Sequence, residues 1–117
     1  MTLSELKDIL EASILTGNEH LNRKFDKCGA SDLMSDILAG FSEGSVLLTG
    51  LTNVQTVRTA AVAGVGAIVF VRGKTPPQAV IDLARTEGIP LLTTPFSMFI
   101  SCGRLHAQGI TGLNGMR

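Results

Sequence analysis

Three short apolar runs, each closed by a polar turn, constrain this chain more than any other feature. They occupy residues 46–48, 67–71 and 89–92. A strand that is apolar along its whole length must be covered on both faces. The segments between the runs carry the 3.6-residue period of helices. Val54, Val57, Ala60 and Ala61 share one face behind Asn53, a good N-cap residue. Val80, Ile81 and Ala84 share another, opened by Thr75-Pro76-Pro77 in a helical first turn and stopped at Gly88. Gly64-Val65-Gly66 reads as a helix C-cap and turn before the second run. Pro90 stands at the start of its strand, where a missing N–H is tolerated. Alternation of this kind predicts an α/β domain, with a small, mainly parallel sheet covered by helices.

The flanking segments extend the pattern. Thr2 and Glu5 have the spacing of a capping box ahead of Leu3, Leu6, Ile9 and Leu10. Residues 13–16 suit a short strand, and residues 18–29 a loop containing a strand near 24–27. After Ser31, the residues Leu33, Met34, Ile37, Leu38 and Phe41 fall on one helical face, opposite Asp32, Ser35 and Asp36. Asp32 and Asp36 are read as solvated surface carboxylates. A last helix is expected from about 96 to 108. The domain is taken as residues 1–110, with 111–117 as a short loose tail.

Composition bounds what such a domain can do. Apolar residues make up 44% of the 117, which suits a globular fold. Trp and Tyr are absent, so the core must be aliphatic with five Phe. Ten basic and ten acidic side chains cancel, leaving no electrostatic footprint for nucleic acid or an anionic membrane. The first residues lack the pattern of a secretory signal, and no apolar run is long enough to span a bilayer. Two cysteines, at 28 and 102, form no CxxC motif. They read as free thiols of a reducing compartment, so the expected location is the cytoplasm.

If the three apolar runs are parallel, their ends deliver polar residues to one rim. These are Thr49, Gly50, Thr52 and Asn53, then Arg72 and Lys74, then Thr93 and Thr94. Ligands of open α/β sheets bind beyond the carboxyl ends of the strands, near helix N-termini that favour anions. Two cations among hydroxyls and amides would suit a small anion or a nucleotide phosphate. The same residue types also serve as ordinary caps and turns.

The last helix has two apolar stripes. Phe96, Phe99, Ile100, Gly103 and Ala107 form one; Met98, Cys102 and Leu105 form the other. The second stripe is expected to meet another copy of the chain, making a homodimer with Met98, Cys102 and Leu105 at its interface.

Other chemistry is weakly supported. Gly73-Lys74-Thr75 echoes the end of a phosphate loop, but Ile68 stands where that motif needs glycine. Cys102 and His106 are four apart on a helix and would need Cys28 and His20 to complete a zinc site; no metal is expected. Cys28 has no sequence neighbour that would activate it as a nucleophile. No catalytic residue is assigned.

Residues 30–39, together with 47–53, 67–74 and 88–94, resemble the DRTGG domain family, with the likeness covering about 1–110. The family takes its name from residue types that recur across it. The resemblance implies a fold like the N-terminal domain of HPr kinase. It also implies a non-catalytic regulatory or sensing module, usually dimeric, of the kind found beside CBS domains and within some phosphate acetyltransferases. Stand-alone members near hydrogenase genes suggest the alternative of a protein–protein adaptor in a redox system. No cofactor follows from either reading.

Overall fold

The computed structural model describes residues 1–40 and 43–113. Its centre is a five-stranded sheet in the order β1-β5-β4-β3-β2. Strands β2 (Cys28–Ala30), β3 (Val46–Thr49), β4 (Ala67–Phe70) and β5 (Leu91–Thr93) are parallel, and β1 (Ser13–Thr16) lies antiparallel beside β5. The predicted α/β architecture is therefore observed, with the three apolar runs side by side and pointing one way. The strand expected near 24–27 lies instead at 28–30, and Lys24 bridges Thr2.

Alternation along each strand builds two cores. Leu47, Ile68, Phe70 and Leu91 face helices α2 (Met34–Gly40), α3 (Val54–Ala63) and α4 (Gln78–Glu87) through Ile37, Val57, Ala60, Val80 and Ala84. Val46, Leu48, Ala67, Val69, Val71 and Leu92 face the other way, onto Leu3, Leu6 and Leu10 of the α1 region and Leu105 of α5 (α1, Leu3–Ile9; α5, Met98–Ala107). Both faces are covered, as strands apolar throughout require.

Local chemistry sets the helix ends. The Thr2 hydroxyl accepts the Glu5 N–H at 3.2 Å while Glu5 Oε1 accepts the Thr2 N–H at 3.1 Å, completing the capping box. Asn53 Oδ1 accepts the Thr56 N–H at 3.0 Å. Gly64 and Gly88 close α3 and α4 at φ 76° and 71°, a region costly for residues with a Cβ. Pro77 is the N-cap of α4, so the prolines precede that helix instead of filling its first turn.

Two boundaries differ from expectation. In α2 only Ile37 is buried, and Leu33 and Leu38 stay 61% and 54% exposed. The helix packs beside α3, with Ile37 in the core and Met34 partly buried against it. Phe41, placed by its period on the same face, lies outside the described residues. At the other end, Ile110 and Leu113 are buried, and Thr111 bridges Lys27 while accepting the Cys28 N–H at 2.9 Å. This segment covers the open edge of β2, so residues 111–113 belong to the packed domain.

Candidate functional site

The parallel strands end together, so the polar turns after β2, β3, β4 and β5 form one rim. Asp32, just past β2, is its hub. The Gly50 N–H donates to Asp32 Oδ1 at 2.7 Å, and the Thr49 hydroxyl donates to the same oxygen at 3.2 Å. Arg72, past β4, brings its guanidinium to 3.7 Å from Asp32 Oδ2. The hydrogen bond from Gly50 acts most strongly on the Asp32 carboxyl; burial opposes it, and the Thr49 hydrogen bond and the Arg72 charge reinforce it, so that the carboxyl is held below the usual carboxylate range. It is an anion at neutral pH and a poor proton acceptor.

Lys74 completes the upper edge. Its Nζ donates to the Gly50 carbonyl at 3.0 Å, and its own carbonyl accepts the Thr93 hydroxyl at 2.7 Å. The Arg72-Gly73 turn is left-handed, with φ 62° at Arg72 and 68° at Gly73. Such a conformation at a non-glycine residue costs of order 1 kcal/mol. It is held by the Arg72 N–H on the Phe96 carbonyl at 2.7 Å and the Gly73 N–H on the Thr94 carbonyl at 2.8 Å. Gly50 must lack a side chain for the guanidinium to lie where it does, because a Cβ there would collide with Arg72 Nη2.

The sequence-predicted residues separate into two groups. Gly50, Arg72, Lys74 and Thr93 meet at the rim, and Thr52 and Asn53 flank it at the start of α3. Thr49 is fully buried beneath it, its hydroxyl donating to Asp32 and accepting the Leu51 N–H. Thr94 is turned inward: it is fully buried and donates to the Leu10 carbonyl at 2.6 Å, tying β5 to the end of α1. Side chains alternate across a strand, so of two adjacent threonines only Thr93 stays on the rim side. Asp32, taken from sequence as a solvated carboxylate, is the residue that reasoning missed. A helix-period pattern shows which face Asp32 occupies, but not that Gly50 waits opposite it.

The stripes of α5 are exchanged relative to expectation. Leu105 is buried in the chain's own core, and Met98 and Cys102 pack half-buried against the same core. The outward face carries Phe99, 84% exposed, and Ile100, 43% exposed. Both stripes are apolar, so hydrophobicity could not decide between them. Ser97 caps the helix by accepting the Ile100 N–H at 3.2 Å.

Burial pushes the Cys28 thiol well above its ordinary pKa and raises that of Cys102. Neither is an activated nucleophile. Among the described residues, no helix is long and apolar enough to cross a membrane.

Comparison with known proteins fits this geometry. The domain is similar to the crystal structure of the CBS and DRTGG domains of the regulatory region of Clostridium perfringens pyrophosphatase, complexed with its activator, diadenosine tetraphosphate. The TM-score is 0.75 at 21% identity, over 89% of this chain and 45% of that one. The present chain thus corresponds to less than half of that region. No curated protein matches the sequence. The DRTGG domain profile matches residues 5–107, most of the chain; the chain belongs to the DRTGG domain family.

Proposed function

We propose that the chain is a non-catalytic regulatory module of the cytoplasm that senses a nucleotide or small anion at the rim of parallel strand ends and works as a homodimer. The observation that carries this reading is the meeting of Arg72 and Lys74 over Gly50, flanked by Thr93, Thr52 and Asn53. Both cations are held by weak partners, a half-exposed carboxylate and a backbone carbonyl. A phosphate would offer stronger, charge-assisted bonds to the same donors. The bound dinucleotide in the related regulatory region makes a phosphorylated ligand the first to test. Binding would draw Arg72 from Asp32 and so reach the segment leading into α2. For the dimer, the exposed Phe99 and Ile100 supply the contact in place of the inward stripe of Met98, Cys102 and Leu105.

Thermal-shift measurements with diadenosine tetraphosphate, ATP and inorganic phosphate test the rim. A ligand at a hundred times its Kd stabilises the native state by about 2.7 kcal/mol. The shift should vanish in the Arg72→Ala/Lys74→Ala double variant. No shift with any of the three, or a shift that persists in the double variant, rejects the rim as the binding site.

A second reading, a protein–protein adaptor without a small ligand, draws support from Leu33 and Leu38 left exposed on α2. A stoichiometric protein partner lost on Leu33→Ser/Leu38→Ser substitution, together with a silent ligand screen, would favour it over sensing.

A further inference from the structure

On the face of the sheet covered by α5, a cavity of about 250 Å³ opens between that helix, β2 and the segment at 110–112. Cys28, Ala30, Cys102, Leu105, His106 and Ile110 line it. The chain has two cysteines, and the fold brings both to this one void from opposite ends of the sequence. From sequence, Cys102 and His106 share one helical face and would need both Cys28 and His20 to complete a zinc site. The structure supplies Cys28 across the gap, while the other histidine, His20, does not line the cavity.

We propose that this cavity is a two-thiolate site for a soft monovalent metal ion of the Cu(I) type, with Cys28 and Cys102 as its sulfur ligands. Both ligands stand on ordered backbone. Cys28 pairs with Val46 in the sheet and donates its N–H to Thr111, and Cys102 lies in the middle of α5. The remaining lining residues are Ala30, Leu105, Ile110, His106, Thr111 and Gly112, with no carboxylate among them, which disfavours the hard ions that need several oxygens. Among the described residues no group of three or more His, Cys, Asp or Glu side chains is arranged to hold a metal, which disfavours a four-coordinate zinc site. A pair of sulfurs in an apolar setting is what soft, sulfur-selecting ions take.

Both cysteines are half-buried where they face this void. On binding, two S–H bonds break, two sulfur–metal bonds form and two protons leave to solvent; no electron is transferred.

The test is anaerobic titration of the reduced full chain with Cu(I), in competition with a chromophoric Cu(I) chelator. One bound equivalent is expected, with thiolate-to-copper absorption in the ultraviolet and release of two protons. Cys28→Ser and Cys102→Ser should each abolish it, while His106→Ala retains it. Circular dichroism of the metal-free variants checks folding, and alanine at each cysteine provides a second pair should serine unfold the domain. Failure to take Cu(I) from the chelator overturns the proposal, as does retention of the metal by either single cysteine variant. Equal competition by Zn(II) for the same two sulfurs overturns the assignment to a soft monovalent ion.

Discussion

The Asp32 carboxylate and the Arg72 guanidinium stand 3.7 Å apart across the bare backbone of Gly50. This pair joins the turn after β2 to the turn after β4, and the strand between them contributes the Gly50 N–H. Removal of the carboxylate leaves that buried N–H without its acceptor. Asp32→Ala should therefore destabilise the domain by about 1–3 kcal/mol, and Asp32→Asn, which keeps a side-chain oxygen, by less. The folded pKa of Asp32 lies below the unfolded value of about 3.9. Its stabilisation is thus fully present above that unfolded value and is lost as the pH falls through the folded one. Urea denaturation of wild type and Asp32→Asn over the acid range should show the difference between them shrinking as the pH drops; a constant difference would mean that the charge plays no part.

Arg72 combines a side-chain role with a strained backbone, and two substitutions separate them. Arg72→Ala and Arg72→Gly both lose the ion pair, yet only glycine relieves the left-handed φ of 62°. The glycine variant should be the more stable of the two by about 1 kcal/mol. Equal denaturation midpoints would show that the turn relaxes once the guanidinium is gone.

On α5 the two apolar stripes should respond oppositely. Leu105→Ala removes a fully packed core side chain and should cost about 2–5 kcal/mol. Phe99→Ser, on the outward face, should leave the stability of a monomer within about 0.5 kcal/mol. Sedimentation of Phe99→Ser and wild type at micromolar concentration then reads the proposed dimer. A wild-type dimer that Phe99→Ser leaves intact would move the interface elsewhere.

Ser101 is buried on the inner side of α5, and its hydroxyl has no hydrogen-bond partner. A buried polar group in that state costs about 1–3 kcal/mol. Ser101→Ala should raise the melting temperature, because it deletes the hydroxyl and improves helix propensity. A lowered melting temperature would show that the hydroxyl finds a partner in solution.

The elements themselves were legible because their causes are local. Residues 46–48, 67–71 and 89–92 carry strand character in their own composition, and Thr2, Asn53, Gly64 and Gly88 mark helix ends through bonds made within a few residues. A run of parallel strands also has to gather its polar ends on one side, which is why Arg72, Lys74 and Thr93 could be expected together. What tertiary structure alone decided depends on distant surfaces. Asp32 finds Gly50 18 positions away and Arg72 on a later turn. Thr94 differs from Thr93 only in which face of β5 it takes. Leu105 and Phe99 are both apolar, and only the packing of α5 on the sheet shows that Leu105 is the one buried. Cys28 and Cys102 share a cavity because β2 and α5 are stacked, a pairing that no periodicity along the chain encodes.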